Sequence, residues 1–211
     1  MFELPESTIV NRVIPKNSFD NFSTSSQRKQ MSEFIQRITW RNKLSTETTN
    51  LNSENISEIQ IFFIELKVKK KIDNLITLFD KFIPYQILFI IKFENEYYKS
   101  ISKKHLNPLN ENVAVIDWTF KSEWKENINI GFNLKKSLDF VFEDLCNQIS
   151  NTKTENIELD SLVEFDKKQK QIEKEILTLT NSILSCKQFN KKVELNIRLK
   201  KLKDELKKLK S

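Results

Sequence analysis

A single glycine, Gly131, stands in a chain of 211 residues. Loops that cradle phosphate need several glycines, because only an unobstructed backbone N–H comes close enough to the anion. The Walker A loop and the dinucleotide fingerprint are therefore excluded, and with them the doubly wound folds built around them. The nucleophile elbow of α/β-hydrolases fails on the same count. The chain also has one histidine, His105, and two widely separated cysteines, Cys146 and Cys186. That is too few ligands for a zinc site made of His and Cys. His105 reads as a solvated loop residue, and the cysteines read as reduced cytoplasmic thiols.

With 38% hydrophobic and 30% charged residues the chain can build a real core. The longest uninterrupted apolar runs, Ile61–Ile64 and Ile87–Ile91, are too short to cross a bilayer. The opening Met1-Phe2-Glu3-Leu4-Pro5 lacks the basic and apolar regions of a secretory signal. A cytoplasmic protein without membrane contact is expected. The formal charge is +6, and residues 187–211 carry ten Lys or Arg against three acids. The basicity thus belongs to the tail.

Hydrophobic periodicity divides the chain into an α+β domain over 1–150, a linker over 151–160 and a basic helical hairpin or coiled coil over 161–211. Residues 1–26 read as irregular, broken by Pro5 and Pro15. Ser25 or Ser26 caps a helix expected to run to about Lys43, with Met31, Phe34, Ile35 and Ile38 on its buried stripe. Thr48–Asn52 has modest strand character. The clearest strand is Glu58–Lys69, whose even positions Phe62, Ile64, Leu66 and Val68 are all apolar. An amphipathic helix over Ile72–Ile83 ends at Pro84. Gln86–Phe93 and Tyr97–Ser102 form a hairpin, a polar loop with Asn107-Pro108 follows, and Val113–Trp118 is a further strand. Trp118, Phe120 and Trp124 read as an irregular cluster, and the last domain helix spans about Ser137–Ile149. This order predicts a mixed or mostly antiparallel sheet packed by helices.

In the arm, Leu162, Phe165, Gln169, Ile172, Ile176, Leu179 and Ile183 alternate spacings of three and four, the signature of a helical seam. A second seam, Leu195, Leu199, Leu202, Leu206 and Leu209, follows, with Asn190 as the N-cap of its helix. One such helix cannot bury its own stripe. The two fold back on each other, or the arm pairs with another chain; in either case it is an interaction element.

One constellation points to chemistry. Residues two apart on a strand share a face, so Glu65 and Lys67 project side by side. This is similar to the acid-x-lysine half of the PD-(D/E)xK nuclease motif, where a carboxylate binds Mg²⁺ and the lysine orients the attacking water. Glu33, Glu47 or Glu58 would supply further carboxylates. The competing reading is a strand leaving the core, its exposed end carrying charges that pair across the sheet. Without the nuclease chemistry no cofactor is expected. Lys69, Lys70 and Lys71, and on the tail Lys191, Lys192, Lys200 and Lys201, are candidate phosphate contacts.

Several segments resemble an uncharacterised prokaryotic family known as domain of unknown function 4391. They are Met1-Phe2-Glu3-Leu4-Pro5 with Ser7-Thr8, Ile14-Pro15-Lys16, and Trp40-Arg41-Asn42-Lys43-Leu44-Ser45 with Glu47-Thr48. Ile59-Gln60-Ile61-Phe62 through Glu65-Leu66-Lys67, Ile83-Pro84-Tyr85 with Leu88-Phe89, and Ser122-Glu123-Trp124 continue the series. It closes with Lys187-Gln188-Phe189-Asn190-Lys191-Lys192-Val193-Glu194-Leu195-Asn196. The resemblance brings no accepted catalytic residues. It implies a role beside a helicase or DNA methyltransferase of restriction or phage-defence type. The reading that follows is an accessory protein, more a binding subunit than an enzyme, docked on a larger nucleic-acid-processing partner. The alternative is a metal-dependent nuclease using Glu65 and Lys67.

Overall fold

The computed structural model describes residues 3–150 and 157–209, without the side chains of residues 111 and 112. The chain divides into two compact units, Met1–Ser150 and Asn151–Ser211.

The first unit is built on one six-stranded sheet in the order β1 (Ile9–Val13), β2 (Ile35–Ser45), β3 (Glu58–Leu66), β4 (Gln86–Phe93), β5 (Glu96–Asn107) and β6 (Asn110–Lys121). Every neighbouring pair is antiparallel except β3 and β4. Those two are parallel because helix α3 (Asp73–Phe82) carries the chain back between them. The sheet is thus mixed and flanked by helices, an α+β architecture as expected.

Alternation along β3 decides which helix meets which face. Its even positions Phe62, Ile64 and Leu66 are buried in one core with Phe89 and Ile91 of β4, Tyr98 of β5, Met31 of α1 (Ser25–Phe34), and Leu75, Ile76 and Phe79 of α3. Each such side chain taken fully out of water contributes about 1.5–3 kcal/mol. The phenol of Tyr98 accepts the amide of Ile72 at 3.1 Å, which anchors the start of α3. The opposite face is covered by α4 (Leu138–Ile149), which packs on β3, β5 and β6. It buries Leu138, Val141, Phe142, Leu145 and Ile149, and its Ser137 cap accepts from Phe140 N at 3.2 Å.

Several sequence expectations are corrected. The helix proposed to reach Lys43 stops at Phe34, and Ile35–Ser45 is β2. Its register with β3 slips between Ile35 and Arg37, so Ile35 and Ile38 lie three apart yet both are buried. A bulge has imitated helical spacing. The cap of α1 is Thr24, which forms a capping box with Gln27, rather than Ser25 or Ser26. The stretch expected to be irregular over 1–26 contains, among its described residues, β1 and two 3₁₀ segments. Thr48–Asn52 is not a strand, because Thr46–Thr49 is a helical turn, α2. β3 ends at Leu66, leaving Val68 exposed. Pro108-Leu109 is the turn of a long β5–β6 hairpin and Asn107 is the last residue of β5, so His105, Trp118 and Phe120 lie in strands.

The second unit is a helical pair, α5 (Leu159–Ser185) and α6 (Phe189–Leu209). Lys168 pairs with Glu205 at 3.5 Å and Glu175 with Arg198 at 3.6 Å. Positions rising along α5 meet positions falling along α6, so the helices are antiparallel and form a hairpin. The leucines of the second seam are half-buried, while Ile172 and Leu179 of the first are buried. α6 starts at Phe189, which places Asn190 inside its first turn and not at its cap. Of the linker expected at 151–160, residues 151–156 lie outside the described residues, and α5 already begins at Leu159.

Candidate functional site

β3 carries Glu65 near its end, and sheet register decides the company it keeps. Arg37 of β2 lies opposite it on one side and Lys92 of β4 on the other. Lys92 in turn faces Tyr97 of β5, and Tyr97 is bridged to Lys125. Paired residues project to the same face, so Arg37, Glu65, Lys92, Tyr97 and Lys125 form one row across the sheet. The next row, two residues nearer α4, runs Thr39, Phe63, Ile90 and Lys99. The Arg41 guanidinium lies 5.4 Å from the Phe63 ring centre, and the Lys92 ammonium 6.0 Å from that of Tyr97. The two rings meet edge to face at 6.3 Å.

Electrostatically this half of the face is cationic. Among the described residues no carboxylate stands within ion-pair distance of Arg37, Arg41 or Lys92. Lys99 donates to the carbonyls of Ile128 at 2.8 Å and Asn129 at 2.9 Å. Burial, and then the nearby Lys125, lower its pKa to about 8.

The anticipated lysines behave differently. Lys67 lies just past β3; its ammonium donates to the Ser32 carbonyl at 2.7 Å and its amide to Phe34 O at 2.8 Å. Lys69 pairs with Glu96 at 2.5 Å and stands 5.9 Å over Trp124. Lys70 covers the Phe34 ring at 4.3 Å, and Lys71 lies 2.9 Å from both oxygens of Glu123. These side chains fasten residues 67–71 to α1 and to the residues around β5 and β6. The further carboxylates do not gather at Glu65. Glu33 faces Lys29 on α1, and Glu47 lies in the first turn of α2. Glu58, seven residues back along β3 and therefore about 23 Å away, is buried against Lys43 at 3.2 Å and Gln60 at 2.6 Å. Among the described residues no group of three or more His, Cys, Asp or Glu is placed to hold a metal ion. His105 projects from β5 toward Asp117 at 3.1 Å and is half-exposed.

On the arm, Lys191, Lys192, Lys200 and Lys201 are all exposed on α6. A feature unread in the sequence accompanies them. Leu177, Leu184, Phe189, Val193 and Ile197 are exposed, Leu184 and Phe189 at 78% each. The Glu175–Arg198 pair sets the helices in register, bringing Leu177 level with Ile197 and Leu184 level with Phe189. Leu184 and Phe189 flank the turn of the hairpin, and Leu177 and Ile197 lie about two helical turns from it. Both cysteines are free, Cys146 buried and Cys186 partly exposed.

The fold is that of a mixed-sheet α+β protein with a helical-hairpin arm, and no helix among the described residues is long and apolar enough to cross a membrane. A family model described as Domain of unknown function (DUF4391) matches residues 2–206, nearly the whole chain, and the protein belongs to that family. No curated protein and no solved structure matches it.

Proposed function

We propose that the protein is an interaction subunit whose helical arm docks onto a larger partner in a nucleic-acid-processing assembly. The carrying observation is the apolar end of the hairpin. Exposed apolar residues scattered singly are ordinary, but Leu177, Leu184, Phe189, Val193 and Ile197 are all exposed within about two helical turns of the hairpin's turn. Keeping them in water forgoes the stabilisation that burial would supply, and such a patch with a polar rim is the mark of a protein-binding surface. Lysines stand beside them in sequence, Lys187 in the turn and Lys191 and Lys192 on α6 next to Phe189 and Val193. The partner surface is therefore apolar at its centre and acidic at its margin. The nucleic-acid context draws support from these cations and from those without carboxylate partners on the sheet face.

The test is quantitative affinity purification from the native host with the full chain and with a Leu184→Asp/Phe189→Asp variant. A helicase, methyltransferase or other large protein should be recovered with the first and lost with the second, at unchanged helicity and melting temperature. Recovery of the same proteins at the same level with both chains would remove the arm from the account.

A further inference from the structure

We infer that the open half of the sheet face spanning β2 to β5 is a binding site for single-stranded nucleic acid. Arg37, Arg41, Lys92 and Lys125 are its phosphate contacts, and Phe63 and Tyr97 are its floor. The inference does not depend on the arm, and its test separates the two.

Three observations converge. The first is an excess of positive charge: Arg37, Lys92 and Lys125 share a row with Glu65, and among the described residues no carboxylate comes within ion-pair distance of Arg37, Arg41 or Lys92, whereas Lys69 and Lys71 of the neighbouring segment are each ion-paired. The second is aromatic surface on the same face. Phe63 and Tyr97 are half-buried, at the margin where that face passes from the covered Ile90 and Lys99 to the exposed Arg37 and Lys125. Aromatic side chains on a sheet face receive unstacked bases, and a guanidinium over a ring, as Arg41 lies over Phe63, extends the stacking surface. The third is extent. From Arg37 on β2 to Lys125 beside β5 there are four strand spacings, about 19 Å, a span suited to a few nucleotides of extended single strand. A duplex keeps its bases stacked inside and offers nothing to the two rings, so the site selects single strands.

Glu65 sits at the centre of this row. Its carboxylate repels phosphate and limits affinity, so its removal has an effect opposite in sign to that of removing its neighbours.

The experiment is fluorescence anisotropy with the full-length protein and a labelled, mixed-sequence oligonucleotide of about 12 nucleotides at low salt. Single-stranded DNA or RNA should bind in preference to the matched duplex. Tyr97→Ala should weaken binding about tenfold while Tyr97→Phe retains it. Arg37→Gln/Lys92→Gln should lower the slope of log affinity against log salt by about 1.4, two phosphates at about 0.7 each. Glu65→Gln should tighten binding. A variant with Lys191, Lys192, Lys200 and Lys201 changed to Gln should still show the Tyr97→Ala loss. The inference is overturned if no single strand binds at low salt, or if duplex binds equally well. It is also overturned if Tyr97→Ala, Arg37→Gln/Lys92→Gln and Glu65→Gln leave binding unchanged while the α6 variant abolishes it. That last result would mark the tail as a non-specific polycation.

Discussion

The ammonium of Lys104 on β5 lies 2.7 Å from the Asp80 carboxylate on α3, with both side chains out of contact with solvent. The same ammonium donates to the carbonyls of Asp80 at 2.7 Å and Ile83 at 2.8 Å. It therefore closes the C-terminal turn of α3, whose last carbonyls have no partner within the helix. Burial pushes the Asp80 carboxyl up and the Lys104 ammonium down, and their mutual attraction opposes both shifts. Lys104→Met would strand a buried carboxylate and two carbonyls at once. A loss of about 3–5 kcal/mol in urea-unfolding stability is expected. Asp80→Leu/Lys104→Met should lose less than Lys104→Met alone, since no unpaired charge stays behind.

Lys99 provides a pH signature. Its pKa in the folded chain is about 8, lowered first by burial and then by Lys125, against about 10.4 when unfolded. Between those values the unfolded chain holds a proton that the folded chain has released. Stability contributed at this site therefore rises with pH from about 8 to about 10.4. Unfolding free energies measured across that range should climb relative to a Lys99→Met variant, and parallel curves would refute the assignment.

Asp139 acts in the opposite pH range. Burial alone would raise its pKa, but the amides of Glu54 and Asn55, donating at 2.8 and 2.9 Å, help hold the carboxyl below its ordinary value. Its contribution is present above the unfolded value of about 3.9 and is lost as pH falls through the lower folded value. Asp139→Ala should cost about 1.5–3 kcal/mol at neutral pH, because it frees two amides from a charged acceptor. Amide exchange at Glu54 and Asn55 should accelerate with it.

The two cysteines should differ in reactivity. Cys146 is fully buried, and burial raises its thiol pKa well above the ordinary value. Cys186, past the end of α5, is partly exposed. A disulfide-exchange reagent should titrate one thiol rapidly in the native chain and the second only on unfolding. Rapid modification of both would show that α4 opens easily.

The sequence is legible where one element supplies its own pattern. The even positions of β3, the stripe of α3 and the two seams of the arm are periodic by themselves, and each forms the element expected. β2 misleads because a bulge sets Ile35 and Ile38 at helical spacing. β1 is hidden because a five-residue edge strand with Asn11 at φ 50° buries too little to show alternation. The row of Arg37, Glu65, Lys92 and Tyr97 is written in four separate strands, and only their register brings it together. The acid-x-lysine spacing falls where β3 ends, with Glu65 half-buried in the strand and Lys67 just past it. It could not reveal that Lys67 is spent on the Ser32 carbonyl or that Arg37 and Lys92 flank Glu65.

Docking through the arm is tested most directly by a photo-crosslinking amino acid placed at Phe189 in the native host, with a control at the exposed Asp20. The account predicts one discrete adduct of higher mass from position 189 and none from position 20. No adduct at 189, or the same adducts from both positions, would contradict it.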